Sequence, residues 1–543
     1  MLALFATLLL IAPATPAEDA PAAGPKQVDA PLQRKIDDAI EDAARWLRDA
    51  VRDDGTFPPS ALTQASTYDI GLAALAGYAM RHGGIDRAEP RMVRVREFVR
   101  RGVAAHVPGA PDAQPDLDVY SAGLAIAFLL EAGVPPDDAA LVRTVRWLED
   151  SWNEVGWWGY WLRHPQQGPR RRDGSRPPPE RSQAFGACNV STTLYAVLGL
   201  HAAAKHGVAV DHRGLDRYMD TLGMRQMRDG GFFYVDVLPN QSPGARSYFG
   251  AASNAIAAYL LAGDATGRLK GPADAAKEPV VRDALPYLEE KFGPDRWGKP
   301  AAPRLQSYPG GPVTYRASDG VPPICAEDTY NLYATERIGM LLAADAIGKV
   351  RWYERGARWL LDTQCEGGSW APKDVIEYPR AATTAFGLLF LARSVRPVGS
   401  ESTPHDRNAV TGTSPDSFSL DGAATLGRLE WYDLFHRALQ RLETLDEAGR
   451  IRFAPRFALL GTRVVRALVF ELEAESRERR RSARDVLVAV TGDDVGFLPD
   501  GDAKARAKGV AAWRKWLHTF EPFLALENGA LVTRPAPAEP KGK

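Results

Sequence analysis

Two kinds of helix-length segment alternate along the first three quarters of the chain. One kind carries Arg, Asp and Glu on one face and apolar residues at helical period on the other; the second is apolar nearly all round and rich in Ala and Gly. The second kind stands out at 67–81, 189–205 and 382–394, with weaker copies at 119–131, 248–262 and 328–347. A helix apolar on every side must be buried, whereas an amphipathic one lies at a surface. Six such pairs predict an all-α fold: a six-hairpin alpha/alpha toroid over 36–396, with the apolar helices as an inner ring and the amphipathic ones outside.

The pairs also repeat a short signature. Trp46-Leu47 is followed by Gly55-Thr56-Phe57, Trp147-Leu148 by Gly156-Trp157-Trp158, and Trp359-Leu360 by Gly368-Ser369-Trp370, at the same spacing each time. With Arg355-Gly356 and Gln364, the last copy resembles the tryptophan-and-glutamine motif of squalene and hopene cyclases, which recurs loosely in protein prenyltransferase beta subunits. The resemblance to this squalene-cyclase and prenyltransferase repeat family covers about 36–396. It implies a structural tie, in which the glutamine bonds to a neighbouring helix end and the aromatic ring stacks beside it, so these aromatics are expected to be architecture. Of the three copies only the last keeps the glutamine; Val51 and Trp152 take its place in the others.

Beyond the ring, Ser, Thr, Pro, Asp and Gly dominate 397–424, which reads as a linker. Helical periodicity returns at 426–442, and 455–492 resembles a HEAT-like helix pair closed by a helix at 503–518, giving a small HEAT-like helical domain over 425–530. The Pro- and Lys-rich residues 531–543 are expected to be a disordered tail. At the other end, apolar residues 1–11 followed by Pro13, Ala14, Thr15, Pro16 and Ala17 read as a signal peptide over 1–17, then a linker over 18–35, which predicts a secreted or periplasmic protein. The apolar run is about half the ~20 residues that a membrane span needs, so no transmembrane segment is expected.

A formal net charge of −1 supplies no field toward nucleic acid, and none is expected as a partner. Three cysteines, Cys188, Cys325 and Cys365, cannot staple a chain of this size, so stability must come from packing.

Alternating hairpins place every outer-to-inner loop on one rim. Those loops include two insertions of about thirty residues, 159–187 and 298–326, longer than ordinary connections, and the inner helices start there with their free N–H groups. Polar residues gather at the starts: Tyr68 and Asp69, Asp118 and Tyr120, Cys188 and Asn189, Ser253 and Asn254, Glu327 and Asp328, Arg380 and Thr383. Such residues also cap helices. Asp118, Tyr120, Asn189, Glu327, Asp328 and Arg380 are therefore candidates for ligand binding at a common mouth. Glu336 and Arg337, two turns into an apolar helix, must be paired or face a wet cavity, and complete the candidate set. The basic run at 170–176, after Trp157, Trp158, Tyr160 and Trp161, would suit an anionic or sugar-like ligand.

The chemistries implied by the resemblance fit poorly. A class II cyclase protonates an alkene with a DxDD motif, but Asp116-Leu117-Asp118-Val119 ends in valine. Prenyltransferase zinc needs an aspartate, a nearby cysteine and a later histidine; Cys325 precedes Asp328 in the opposite order, and no histidine follows until His405. No metal or cofactor is expected. A complement-type thioester needs Gln three residues after Cys, where Ser191, Asp328 and Gly368 stand. The reading is an exported toroid that binds an unknown ligand or protein partner at its loop-rich rim. An extracytoplasmic polysaccharide lyase or glycosidase is the alternative, built on Asp118, Glu327, Asp328 and Arg380, with a terpenoid or prenyl enzyme third.

Overall fold

The computed structural model describes residues 28–58, 68–106, 117–160, 188–236, 238, 246–293, 326–370, 379–395, 397–400, 420 and 422–534. Helices dominate. Three hairpins come first: α1 (Ala30–Ala50) with α2 (Tyr68–His82), α3 (Pro90–His106) with α4 (Val119–Glu131), and α5 (Ala139–Glu149) with α6 (Val190–Lys205). Next come α7 (Arg213–Leu222) with α8 (Phe249–Thr266). After the one-turn α9 (Pro272–Ala275) follow α10 (Pro279–Lys291) with α11 (Ala326–Leu341), and α12 (Trp352–Thr363) with α13 (Arg380–Ala392). The even-numbered helices to α8, then α11 and α13, form the inner ring. Each packs on the next, and α13 packs back on α2, so the ring is closed. The alpha/alpha toroid expected from the alternation is therefore present.

Every described residue of α13 from Ala381 onward is buried, as is nearly all of α2 and α4, whereas α3 buries only Met92, Val95, Val99 and Val103. The inner helices can approach this closely because glycine sits at the contacts: a Cβ on Gly123 would stand 2.0 Å from the Tyr195 carbonyl oxygen. One boundary differs from the periodicity. The inner helix expected to reach 347 ends at Leu341, because Ala343 takes a φ of 47° and turns the chain toward α12.

The repeated signature proves to be the stitching of the ring. Gly230 and Gly368 adopt φ values of 85° and 88°, in the left-handed region that glycine tolerates best. Both also lie against the next outer helix: a Cβ would meet the Asp283 carbonyl oxygen of α10 at 2.1 Å and the Asp42 carbonyl oxygen of α1 at 2.5 Å. Gly55 and Gly156 repeat this against α3 and α7. The Gln364 amide donates to Ala39 O of α1 at 2.9 Å and to Gly368 O at 2.8 Å. Gln226 does the same toward Val280 O of α10 at 3.0 Å and Gly230 O at 2.9 Å. A fourth turn beyond those three copies also keeps the glutamine: Gln226, Gly230 and Phe232 repeat the tie, hidden because the outer helix lacks the Trp-Leu pair. The aromatics are architecture, with Trp158 Nε1 and Trp370 Nε1 each 2.9 Å from a carbonyl of their own outer helix.

A second hydrophobic core follows, formed by α14 (Arg428–Glu443), α15 (Glu447–Phe453), α16 (Arg463–Glu471), α17 (Arg477–Thr491) and α18 (Ala503–Phe520). An antiparallel hairpin, β1 (Leu524–Glu527) and β2 (Ala530–Thr533), closes it, so the described chain continues in regular structure past the expected start of the tail at 531. This unit grips the rim opposite the long loops. Fully buried Arg81, at the end of α2, pairs with Asp433 of α14; Asp433 also holds Arg87 at 2.6 Å. His436 Nε2 lies 2.8 Å from Gly84 O, Arg479 lies 2.7 Å from Asp86, and Arg45 lies 2.8 Å from Glu473. Between α13 and this unit, the chain crosses the same rim. Val398 N donates to Leu341 O at 3.0 Å, Gly399 N to Asp264 Oδ1 at 2.8 Å, and Lys205 Nζ to Ser400 O at 3.5 Å. The ends of α11, α8 and α6 are thereby tied together. Both long insertions fall outside the described residues, apart from their flanks.

Candidate functional site

The rim at the starts of the inner helices is built from caps. Fully buried Asp118 precedes α4, accepting from Ser121 N at 2.8 Å with Oδ1 and from Ser121 Oγ at 2.6 Å with Oδ2. Asn189 caps α6 in the same way, accepting from Thr192 N at 2.9 Å. These two side chains fold back onto their own helices. Asp328 is buried at the start of α11; Glu327 is the second residue of that helix, and its side chain lies outside the described residues. The Arg380 guanidinium sits 5.3 Å from the Trp46 ring of α1, which places it on the seam between the last and first hairpins.

Tyr120 points inward and joins a set of side chains that sequence reasoning largely missed. Its hydroxyl donates to Ser191 Oγ of α6 at 2.9 Å, and Ser191 Oγ lies 2.9 Å from the Tyr330 hydroxyl of α11. The Asn254 side chain of α8 lies beside that same Tyr330 hydroxyl. On the other side, the Tyr120 ring lies 6.0 Å from that of Tyr160, whose hydroxyl is 2.6 Å from that of Tyr234. Two hydrogen-bonded groups, Tyr160 with Tyr234 and Tyr120 with Ser191 and Tyr330, thus run from the loops of the third and fourth hairpins across the inside of the ring, with Asn254 beside the second. Aromatic faces accompany it. Tyr68 is 6.5 Å from Tyr120, Tyr195 is stacked 6.1 Å from Tyr330, and Phe386 is 5.4 Å from Tyr330. Tyr248, 6.2 Å from Tyr234, is 44% exposed and marks the outer lip.

Burial, then the negative charge of Asp118, pushes the Tyr68 hydroxyl up to about 12, and burial raises Tyr120 further. The hydroxyls therefore remain neutral, able both to donate and to accept. Tyr120 and Asn254 stood among the polar residues at helix starts. Ser191, Tyr195 and Tyr234 carried no separate signal, because Ser191 and Tyr195 sit inside an apolar helix and read as core, and Tyr234 lies in a loop.

Below this layer lie Glu336 and Arg337, both fully buried and 3.2 Å apart. The Arg337 guanidinium covers the Tyr333 ring at 3.4 Å, and Glu336 Oε1 accepts from Val395 N at 3.2 Å. Burial raises the Glu336 carboxyl, with Arg337 pulling the other way. Of the two accounts of this pair, the geometry is that of internal pairing. Among the described residues, no group of three or more His, Cys, Asp or Glu side chains is placed to hold a metal. No described helix is long and apolar enough to cross a membrane.

No family model matches the chain, and no curated protein matches it. Solved structures with a similar course are distant. A type II terpene cyclase from Scytonema is 15% identical with a TM-score of 0.38, over 67% of this chain and 98% of that one. An inactive variant of an alpha-1,6-mannanase from Salegentibacter, in complex with alpha-1,6-mannotetrose, is 10% identical with a TM-score of 0.40, over 66% and 98%. The protein geranylgeranyltransferase-I of Candida albicans is 12% identical with a TM-score of 0.39, over 65% and 91%. These include cyclase, glycosidase and prenyltransferase, and at such scores none bears on what this chain does.

Proposed function

We propose that this protein is an exported binding toroid whose tyrosine-lined mouth takes a ring-shaped, polyhydroxylated ligand, an oligosaccharide. The observation that carries the reading is the row of hydroxyls of Tyr234, Tyr160, Tyr120, Ser191 and Tyr330, with Asn254 beside it, set among aromatic faces. Neutral hydroxyls that donate and accept suit sugar hydroxyls, and tyrosine combines an apolar face with a polar tip. Of the carboxylates named for hydrolysis, Asp118 has both oxygens engaged by Ser121 of its own helix, which supports binding as its setting. General acid–base work on a glycosidic bond needs a carboxyl that reaches the substrate. The paired helices α16 and α17, read as HEAT-like, would add a surface for a protein partner.

Isothermal titration of the purified protein with linear tri- to hexasaccharides of glucose, mannose, galactose, xylose and N-acetylglucosamine tests the reading. At least one series is expected to bind, and Tyr248→Ala is expected to weaken it several-fold with little change in melting. Silence across the panel would overturn the proposal, and release of new reducing ends or of unsaturated products would replace it with a glycosidase or lyase. Export is tested by the amino terminus of protein recovered from the producing cells, which should lack residues 1–17.

A further inference from the structure

Resting on the carbohydrate reading, we infer that the mouth is a dead-end subsite that reads the terminus of a glycan chain. The lumen is closed beneath the tyrosine layer. Tyr333, Glu336 and Arg337 fill it with no solvent exposure, Glu336 is tied to Val395 N, and residues 397–400 cross the far rim through bonds to Leu341, Asp264 and Lys205. A polymer cannot thread through such a ring. Only its end can reach the layer in which Ser191, Asn254 and Tyr330 meet.

That layer has unmet capacity. Asn254 is 2% exposed and lies beside Tyr330, and its Oδ1 is buried without a hydrogen-bond partner. Thr383, 1% exposed and one turn before the lumen-facing Phe386, has a buried Oγ1 in the same condition. A buried acceptor left unbonded is destabilising, and most buried polar atoms in folded proteins find a partner. Other buried hydroxyls of the inner helices, those of Ser121, Thr192, Thr193 and Thr384, all have partners, whereas these two atoms do not. Asn254 Oδ1 accepts from a ligand hydroxyl, and Thr383 Oγ1 can donate or accept. A terminal sugar residue supplies more free hydroxyls than an internal one, because one of its linkage positions is unsubstituted. The floor of the mouth therefore favours chain ends.

The experiment uses the full chain and the polysaccharide whose oligosaccharides bind best in the panel above. Binding sites per gram are counted before and after limited depolymerisation. End recognition predicts that sites rise in proportion to the number of chain ends, whereas an unchanged count overturns it and leaves the carbohydrate reading standing. Failure of every saccharide to bind removes that reading and this inference together. Asn254→Leu is expected to weaken the bound oligosaccharide roughly tenfold, as loss of one or two hydrogen bonds implies. An unchanged affinity overturns the role of the floor. Should Asn254→Leu not fold, Thr383→Val gives the same reading, with several-fold weakening expected and an unchanged affinity again decisive against it.

Discussion

Gln226 and Gln364 each satisfy two backbone carbonyls, one in their own turn and one on the next outer helix. Replacing either by Ala removes two hydrogen bonds and leaves partly buried carbonyls unmet, so each is expected to cost ~1–2 kcal/mol in urea unfolding. A loss below a few tenths would mean that the turns hold without them. The titratable residues make a second prediction at this scale. Burial, against the charge of Arg466, raises Glu41 from 4.5 to about 8, and burial also raises Glu336 and Glu89. The folded protein binds these protons more tightly than the unfolded chain does. Their contribution is therefore complete below 4.5 and is lost as pH climbs through about 8. Asp86 and Asp264 behave oppositely. Burial would raise them, but His436 and Arg479 beside Asp86, and His201 beside Asp264, outweigh it and hold both at about 2. Their contribution is present above 3.8 and is lost as pH falls toward 2. The melting temperature is accordingly expected to peak near pH 4–5 and to decline toward pH 8, less steeply in Glu336→Gln. A melting temperature that rises from pH 5 to 8 would contradict this assignment.

At the scale of elements, the turn glycines separate two costs. Gly207 has a φ of 81° with nothing within 4 Å of a Cβ, so Gly207→Ala is expected to cost about 1 kcal/mol from backbone conformation alone. Gly368→Ala adds a clash with the backbone of α1 and should cost about 2–3 kcal/mol. Equal losses would show that the docking of the turn contributes nothing. The same elements explain what could be read in the sequence. Hairpin number, order and layer follow from burial, which amphipathic and uniformly apolar helices record directly, and all six inner helices begin within two residues of the expected positions. The docked glycine needs no side chain, so its spacing survives where the aromatics have drifted, and the signature of the fourth hairpin is visible from its glycine and glutamine although it has no tryptophan. The mouth was less legible. Asp118 and Asn189 look like ligands because the residues that cap a helix are also those that bind one. Ser191 and Tyr330 look like core because their role depends on neighbours 71 and 139 residues away. Side-chain periodicity carries nothing about which helices will face each other across a ring.

At the scale of the whole molecule, buried charges join the two cores. Arg81 has no exposure and relies on Asp433, so Asp433→Ala strands a buried guanidinium and is expected to cost about 3–5 kcal/mol. With Arg466, Arg479 and His436 also bridging the units, calorimetry is expected to show a single transition. Two well-separated transitions would show that the units unfold independently. The closed ring has a further consequence, in the order of events by which the chain reaches this state. The Gln364 amide meets Ala39 across 325 residues of sequence, and α2 obtains its second neighbour only when α13 arrives. Until then the first hairpin presents a bare apolar flank, however well its own helices have formed. A chain emerging from the ribosome or a translocation channel must hold that flank open while the other five hairpins are delivered. Long-range closure of this kind is slow. Refolding should therefore show a late step that depends on α12 and α13, with exposed apolar surface until it occurs, and a chaperone acting on this protein would find its binding site at the unclosed edge of α1 and α2.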